Sequence, residues 1–138
     1  MRVIKENPPN YAAIIERFPV VIGLKCLFAW GDDVYNPADV TISAPLRAHE
    51  AMHGKRQLEF PMGVEGWWNQ YLLSDTFRRD EEIVAHRVEY LVTMGSGVSN
   101  RHARRSCLKT TAERLAHPMY DMGLTKRSAL PLLRDNPS

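Results

Sequence analysis

Apolar and polar positions alternate along this chain in blocks that turn residues separate cleanly. Met1 to Asn10 is predicted extended, because Pro8 and Pro9 disfavour helix just before them. Tyr11 to Phe18 has Ala12, Ile14 and Ile15 as apolar positions, Asn10 as a cap and Pro19 as a stop, and reads as a short helix. Val20 to Gly23 and Leu24 to Trp30 are β-branched and aromatic, which predicts strands. Gly31-Asp32-Asp33 is turn chemistry. Val34 to Asn36 is expected to return as a short strand, and Val40 to Ser43 as a further extended piece.

Five helices then follow. Leu46 to Leu58 is the first, with Pro45 at its start and Ser43 as cap. Phe60 to Gly63 breaks the chain before Gly66 to Leu73, whose Trp67, Trp68 and Tyr71 are expected in the core. Asp80 to Thr93 carries a broad apolar face of Ile83, Val84, Val88, Leu91 and Val92. Glu82, His86 and Glu89 share one polar stripe on its other side, so burying the apolar face should aim that stripe along a cleft. After a break at Met94 to Gly97, Asn100 to His117 reads as a basic helix ended by Pro118. Thr125 to Leu133 reads as a short last helix, and a polar end at Ser138 is expected to fray.

The fold class this predicts is α+β: a small, mostly antiparallel sheet packed on the Leu46–Leu58 helix, followed by several helices. One domain over 1–138 is the expectation from length. Its sheet and first long helix fall at about 20–60, the Glu82 helix at about 80–93 and a basic helical extension at about 100–134.

Composition changes this picture little. Hydrophobic residues at 44% and charged residues at 25% suit a protein that buries a core without disulfides. Charge is uneven: residues 1–94 hold 10 Lys/Arg against 13 Asp/Glu, and residues 95–138 hold 8 against 3. The basic end is read as a solvated helical face, and nucleic acid through Arg101, Arg104, Arg105, Lys109 and Arg114 as the weaker alternative, since no groove-binding motif accompanies them. Cys26 and Cys107 lie in apolar surroundings outside any C-x-x-C pair and are expected as free thiols. No signal-peptide pattern and no run of about 20 apolar residues is present, so cytoplasmic synthesis and no membrane partner are expected.

The chemistry concentrates at Ala48-His49-Glu50-Ala51-Met52-His53-Gly54, which contains His-Glu-x-x-His. Residues four apart share a helix face, so His49 and His53 can offer two imidazole nitrogens to one metal ion. Zinc suits such ligands and leaves an open position; Glu50 beside it can take a proton from a water there. A catalytic site needs one more protein ligand. Glu81, Glu82, His86, Glu89, His102 and His117 are candidates, and Glu82 is favoured because its stripe faces the expected cleft. His86 is then placed to orient a ligand or donate to a reaction oxygen, with Tyr90 and His117 as other donors. Glu89 is placed to hold a ligand histidine by its second nitrogen.

At these residues the chain resembles the zincin metallopeptidases, and within them the small gluzincins sometimes called minigluzincins. The likeness covers roughly residues 20 to 93. It rests on His49-Glu50-x-x-His53, the aromatic helix after it, and Glu82-Ile83-Val84-Ala85-His86. The resemblance implies zinc held by His49, His53 and Glu82, Glu50 as general base, and a peptide or protein as substrate. Some gluzincins place an aspartate four residues after the ligand glutamate; His86 stands there in this chain. Gly54 follows His53 directly and no third histidine comes near, which departs from the elongated metzincin motif. Arg114 to Tyr120 looks like the tails of some small bacteriophage-encoded proteins. Small size, the lack of a visible secretion route and the basic tail motivate an alternative, a catalytically inert zincin-fold binding or assembly protein, placed in the virion or host cytoplasm if phage-encoded.

Overall fold

The β-branched and aromatic runs make three short strands, β1 (Arg2–Ile4), β2 (Phe28–Trp30) and β3 (Asp33–Tyr35), in the order β1-β3-β2. These belong to a computed structural model that describes residues 1–95 and 100–134. The expected break at Ser96-Gly97 and the polar end at Ser138 lie outside the described residues. β2 and β3 form an antiparallel hairpin with Ala29 opposite Val34. Gly31 closes it at φ 59°, a left-handed conformation that glycine adopts without a Cβ clash. β1 pairs with β3 in parallel, Val3 opposite Val34. The sheet is therefore mixed, which corrects the mostly antiparallel expectation. The long connection from β1 through α1 (Tyr11–Arg17) to the hairpin makes a parallel pairing possible.

Two other strand expectations fail for local reasons. Val20–Gly23 lies in a 3-10 turn, Pro19–Gly23, because Pro19 starts the turn with a helical φ; only Val21 of it is buried. Val40 to Ser43 forms no strand. Ser43 is used as a cap instead, its Oγ accepting from the Leu46 N–H at 3.3 Å.

The helices run close to expectation: α2 (Ala44–Glu59), α3 (Gly63–Leu73), α4 (Asp75–Gly95), α5 (Arg101–Leu115) and α6 (Lys126–Arg134), with a 3-10 turn at Pro118–Tyr120. Asn100 caps α5, accepting from the Ala103 N–H at 2.7 Å. One core gathers Ile14, Phe18, Val21, Phe28, Trp67, Trp68 and Tyr71. A second gathers Leu108, Ala112, Leu115, Ala129 and Leu133, with Ile83 and Tyr90 packed against it. No helix among the described residues is long and apolar enough to cross a membrane.

Two features fix α2 and α4 in place. A Cβ on Gly54 would strike the Gly31 carbonyl oxygen, so α2 lies backbone to backbone on the hairpin turn. Gln57, fully buried, completes the junction: its amide donates to the Ala29 carbonyl at 3.0 Å and accepts from the Gly31 N–H at 2.7 Å. α4 buries Arg78, Glu81, Glu82, Ala85, His86 and Glu89, a set repeating every three or four residues. Its polar stripe is thus interior, while Leu91 on the apolar side is 65% exposed.

Candidate metal centre

α2 carries His49, Glu50 and His53 into the interior, and α4 brings Glu82, His86 and Glu89 to meet them; all six are buried. His53 Nε2 lies 3.0 Å from Glu82 Oε2, and His49 Nε2 lies 3.5 Å from Glu82 Oε1. One ligand atom from each of His49, His53 and Glu82 lies within 4.8 Å of the others. Two imidazole nitrogens and one carboxylate oxygen are a donor set that zinc accepts.

The partners of the buried carboxylates discriminate among them. Glu81 receives Arg56 at 2.7 Å and the Trp67 indole N–H. Glu89 receives Arg114 at 2.6 Å. Among the described residues no arginine or lysine reaches Glu82; it accepts the Tyr71 hydroxyl at 2.8 Å, and its Oε1 has no hydrogen-bond partner there. A buried carboxylate without a fixed cation is costly. The residues therefore fit a bound divalent cation at His49, His53 and Glu82.

Electrostatics say the same. Burial works against ionised Glu82, but the charge of His53 and the close ring nitrogens of His49 and His53 hold its carboxyl well below the usual range. Burial likewise opposes protonation of His53, yet Glu82 and then Glu50 push it up to about 9. Without a metal, a proton on His53 supplies the missing positive charge. Glu50 faces a cavity of about 230 Å³, where burial raises its pKa against the opposing pull of His49 and His53.

That cavity is also lined by Trp68, Tyr71, Arg114, Met119 and Tyr120. Arg78, fully buried, donates to the carbonyls of Tyr120 and Asp121 and to that of Tyr71 at 2.7 Å, tying the Pro118–Tyr120 turn to α3. Burial raises the Tyr120 hydroxyl well above its ordinary pKa, with Glu82 and Glu50 adding to the effect, so it stays a donor.

His86 is fully buried, its Nδ1 2.8 Å from the Glu82 carbonyl, and burial lowers its pKa to about 3. It stands behind His49, with ring centroids 4.6 Å apart, and does not line the cavity. Glu89 Oε1 is 3.8 Å from His49 Nδ1. Of the other candidates, His102 is exposed, Tyr90 packs in the second core, and His117 caps the Pro118 turn by accepting from the Met119 N–H. Tyr71 and Tyr120 were not foreseen at the site. Tyr71 looked like core, and it is; only its hydroxyl, where phenylalanine would serve a core alone, hinted at a polar duty. Nothing in the sequence placed Tyr120 beside α2. Cys26 and Cys107 are free thiols, both half-buried.

Compared with known proteins, the chain matches no protein-family model, no curated protein and no solved structure.

Proposed function

We propose that the protein is a zinc-dependent peptide hydrolase whose metal is held by His49, His53 and Glu82. The observation that carries this is the convergence of those three residues around Glu82, a buried carboxylate with no fixed counter-cation, beside a cavity that Glu50 also lines. Zinc bound there would acidify a water and polarise a substrate carbonyl. Glu50, lining the cavity, would take a proton from water held there and pass it to the departing amine, a role its raised pKa suits. Tyr120 donates a hydrogen bond to the oxygen that gains charge. Tyr71 holds Glu82 in place through its hydroxyl. Phe18, Val21, Phe28 and Trp68 give the cavity an apolar wall suited to an apolar substrate side chain.

The test is a peptide-library cleavage assay on the wild type and Glu50→Gln, each with measured zinc content. Glu50→Gln should keep its zinc and lose turnover by about 10²–10⁴-fold. A zinc-loaded wild type that cleaves nothing in the library favours the inert binding protein instead.

A further inference from the structure

On the far side of His49 lies a second group of buried residues. His49, His86 and Glu89 bring one ligand atom each to within 4.8 Å of the others. Among the described residues His49 Nδ1, His86 Nε2 and Glu89 Oε2 have no hydrogen-bond partner, and the three residues are only 4%, 0% and 2% exposed. Buried polar atoms are ordinarily satisfied, so three of them within one such group point to something bound among these residues.

The hydrogen positions narrow what that is. The Glu82 carbonyl only accepts, so the 2.8 Å contact puts the hydrogen of His86 on Nδ1 and leaves the buried Nε2 with a free lone pair. Arg114 occupies Glu89 Oε1, leaving Oε2 free. His49 Nδ1 lies 3.8 Å from Glu89 Oε1, too far for a direct hydrogen bond. His49 turns Nε2 toward Glu82 and Nδ1 toward Glu89.

We propose that His49, His86 and Glu89 form a second divalent-cation site, joined to the first through the His49 ring. Two imidazole nitrogens and a carboxylate oxygen favour zinc or copper(II) over calcium or magnesium. Filling both sites displaces the His49 ring proton to solvent and leaves the ring as an imidazolate, with one nitrogen on each cation. That negative ring and the Glu89 carboxylate offset the second cation against the neighbouring positive charge of Arg114. The proposal rests on the peptidase reading only in sharing His49 with its metal site. The rival occupant is a single water, accepting from His49 Nδ1–H and donating to His86 Nε2 and Glu89 Oε2, and the cation count separates the two.

The experiment is equilibrium dialysis of cation-free, full-length protein against zinc or copper(II), followed by elemental analysis. The wild type should take two cations per chain, and His86→Ala and Glu89→Gln one each. The electron paramagnetic resonance of copper-loaded wild type adds a readout that needs no variant. Exchange coupling through the ring should bring its integrated signal below that of two isolated copper(II) ions. Two uncoupled copper signals overturn the bridge, and wild type that saturates at one cation, or binds none, overturns the site. Where wild type saturates at one cation, its loss in His53→Ala leaves the peptidase reading standing with water in the second space; wild type that binds no cation sinks both.

Discussion

Tyr71 shows how much a single atom decides at this site. Its ring stacks on Trp67 at 5.0 Å between centroids, and its hydroxyl alone reaches Glu82. Tyr71→Phe keeps the packing and removes that hydrogen bond. Zinc affinity should fall by about 10–100-fold with the fold intact, as competition against a chelator of known affinity will read. His53 and His86 make the cation-free protein sensitive to pH in opposite directions. His53 is raised from 6.5 to about 9, so its contribution is full below 6.5 and is lost as pH rises through 9. His86 is lowered from 6.5 to about 3, so its contribution is full above 6.5 and is lost as pH falls toward 3. Denaturant unfolding of cation-free protein should therefore give greatest stability near pH 6.5, falling on either side. Zinc removes the fall on the alkaline side, because a cation then does the work of the His53 proton.

At the scale of elements, α2 was legible almost to its ends because three local signals agreed: the Ser43 cap, Pro45 in the first turn and the break after Phe60. The histidine spacing was equally legible, since a helix fixes which residues share a face. α4 was read less well. Its apolar residues predict a buried side with the polar stripe along a cleft; the structure buries the stripe and leaves Leu91 of the apolar side exposed. Periodicity reports that a helix has two faces; it does not say which face meets a charged partner. Arg56 and Arg114, which neutralise Glu81 and Glu89, come from other helices, and no local pattern announces them. The β2–β3 turn was legible from Gly31-Asp32-Asp33, but its contact with Gly54 was not. Gly54→Ala forces a methyl group into the Gly31 carbonyl. It should cost roughly 1–3 kcal/mol in denaturant unfolding, and zinc affinity should fall with it as α2 moves off the hairpin.

Across the whole molecule, the basic C-terminal helices are part of the site's enclosure. Arg114 and Tyr120 line the cavity, and Arg114 pairs with Glu89. Arg78 anchors the turn that carries Tyr120. This tertiary closure could not be read from sequence, because it joins residues 42 and 43 positions apart through one buried guanidinium. The α+β class was legible; the mixed sheet was not, since parallel pairing depends on where a long connection returns. What unites these scales is one carboxylate on α4 and two imidazoles on α2 that need a positive charge between them. The most direct measurement is zinc content per chain, by elemental analysis after exhaustive dialysis, in the wild type and His53→Ala. The variant should carry one zinc fewer per chain; equal zinc in the two proteins contradicts the account.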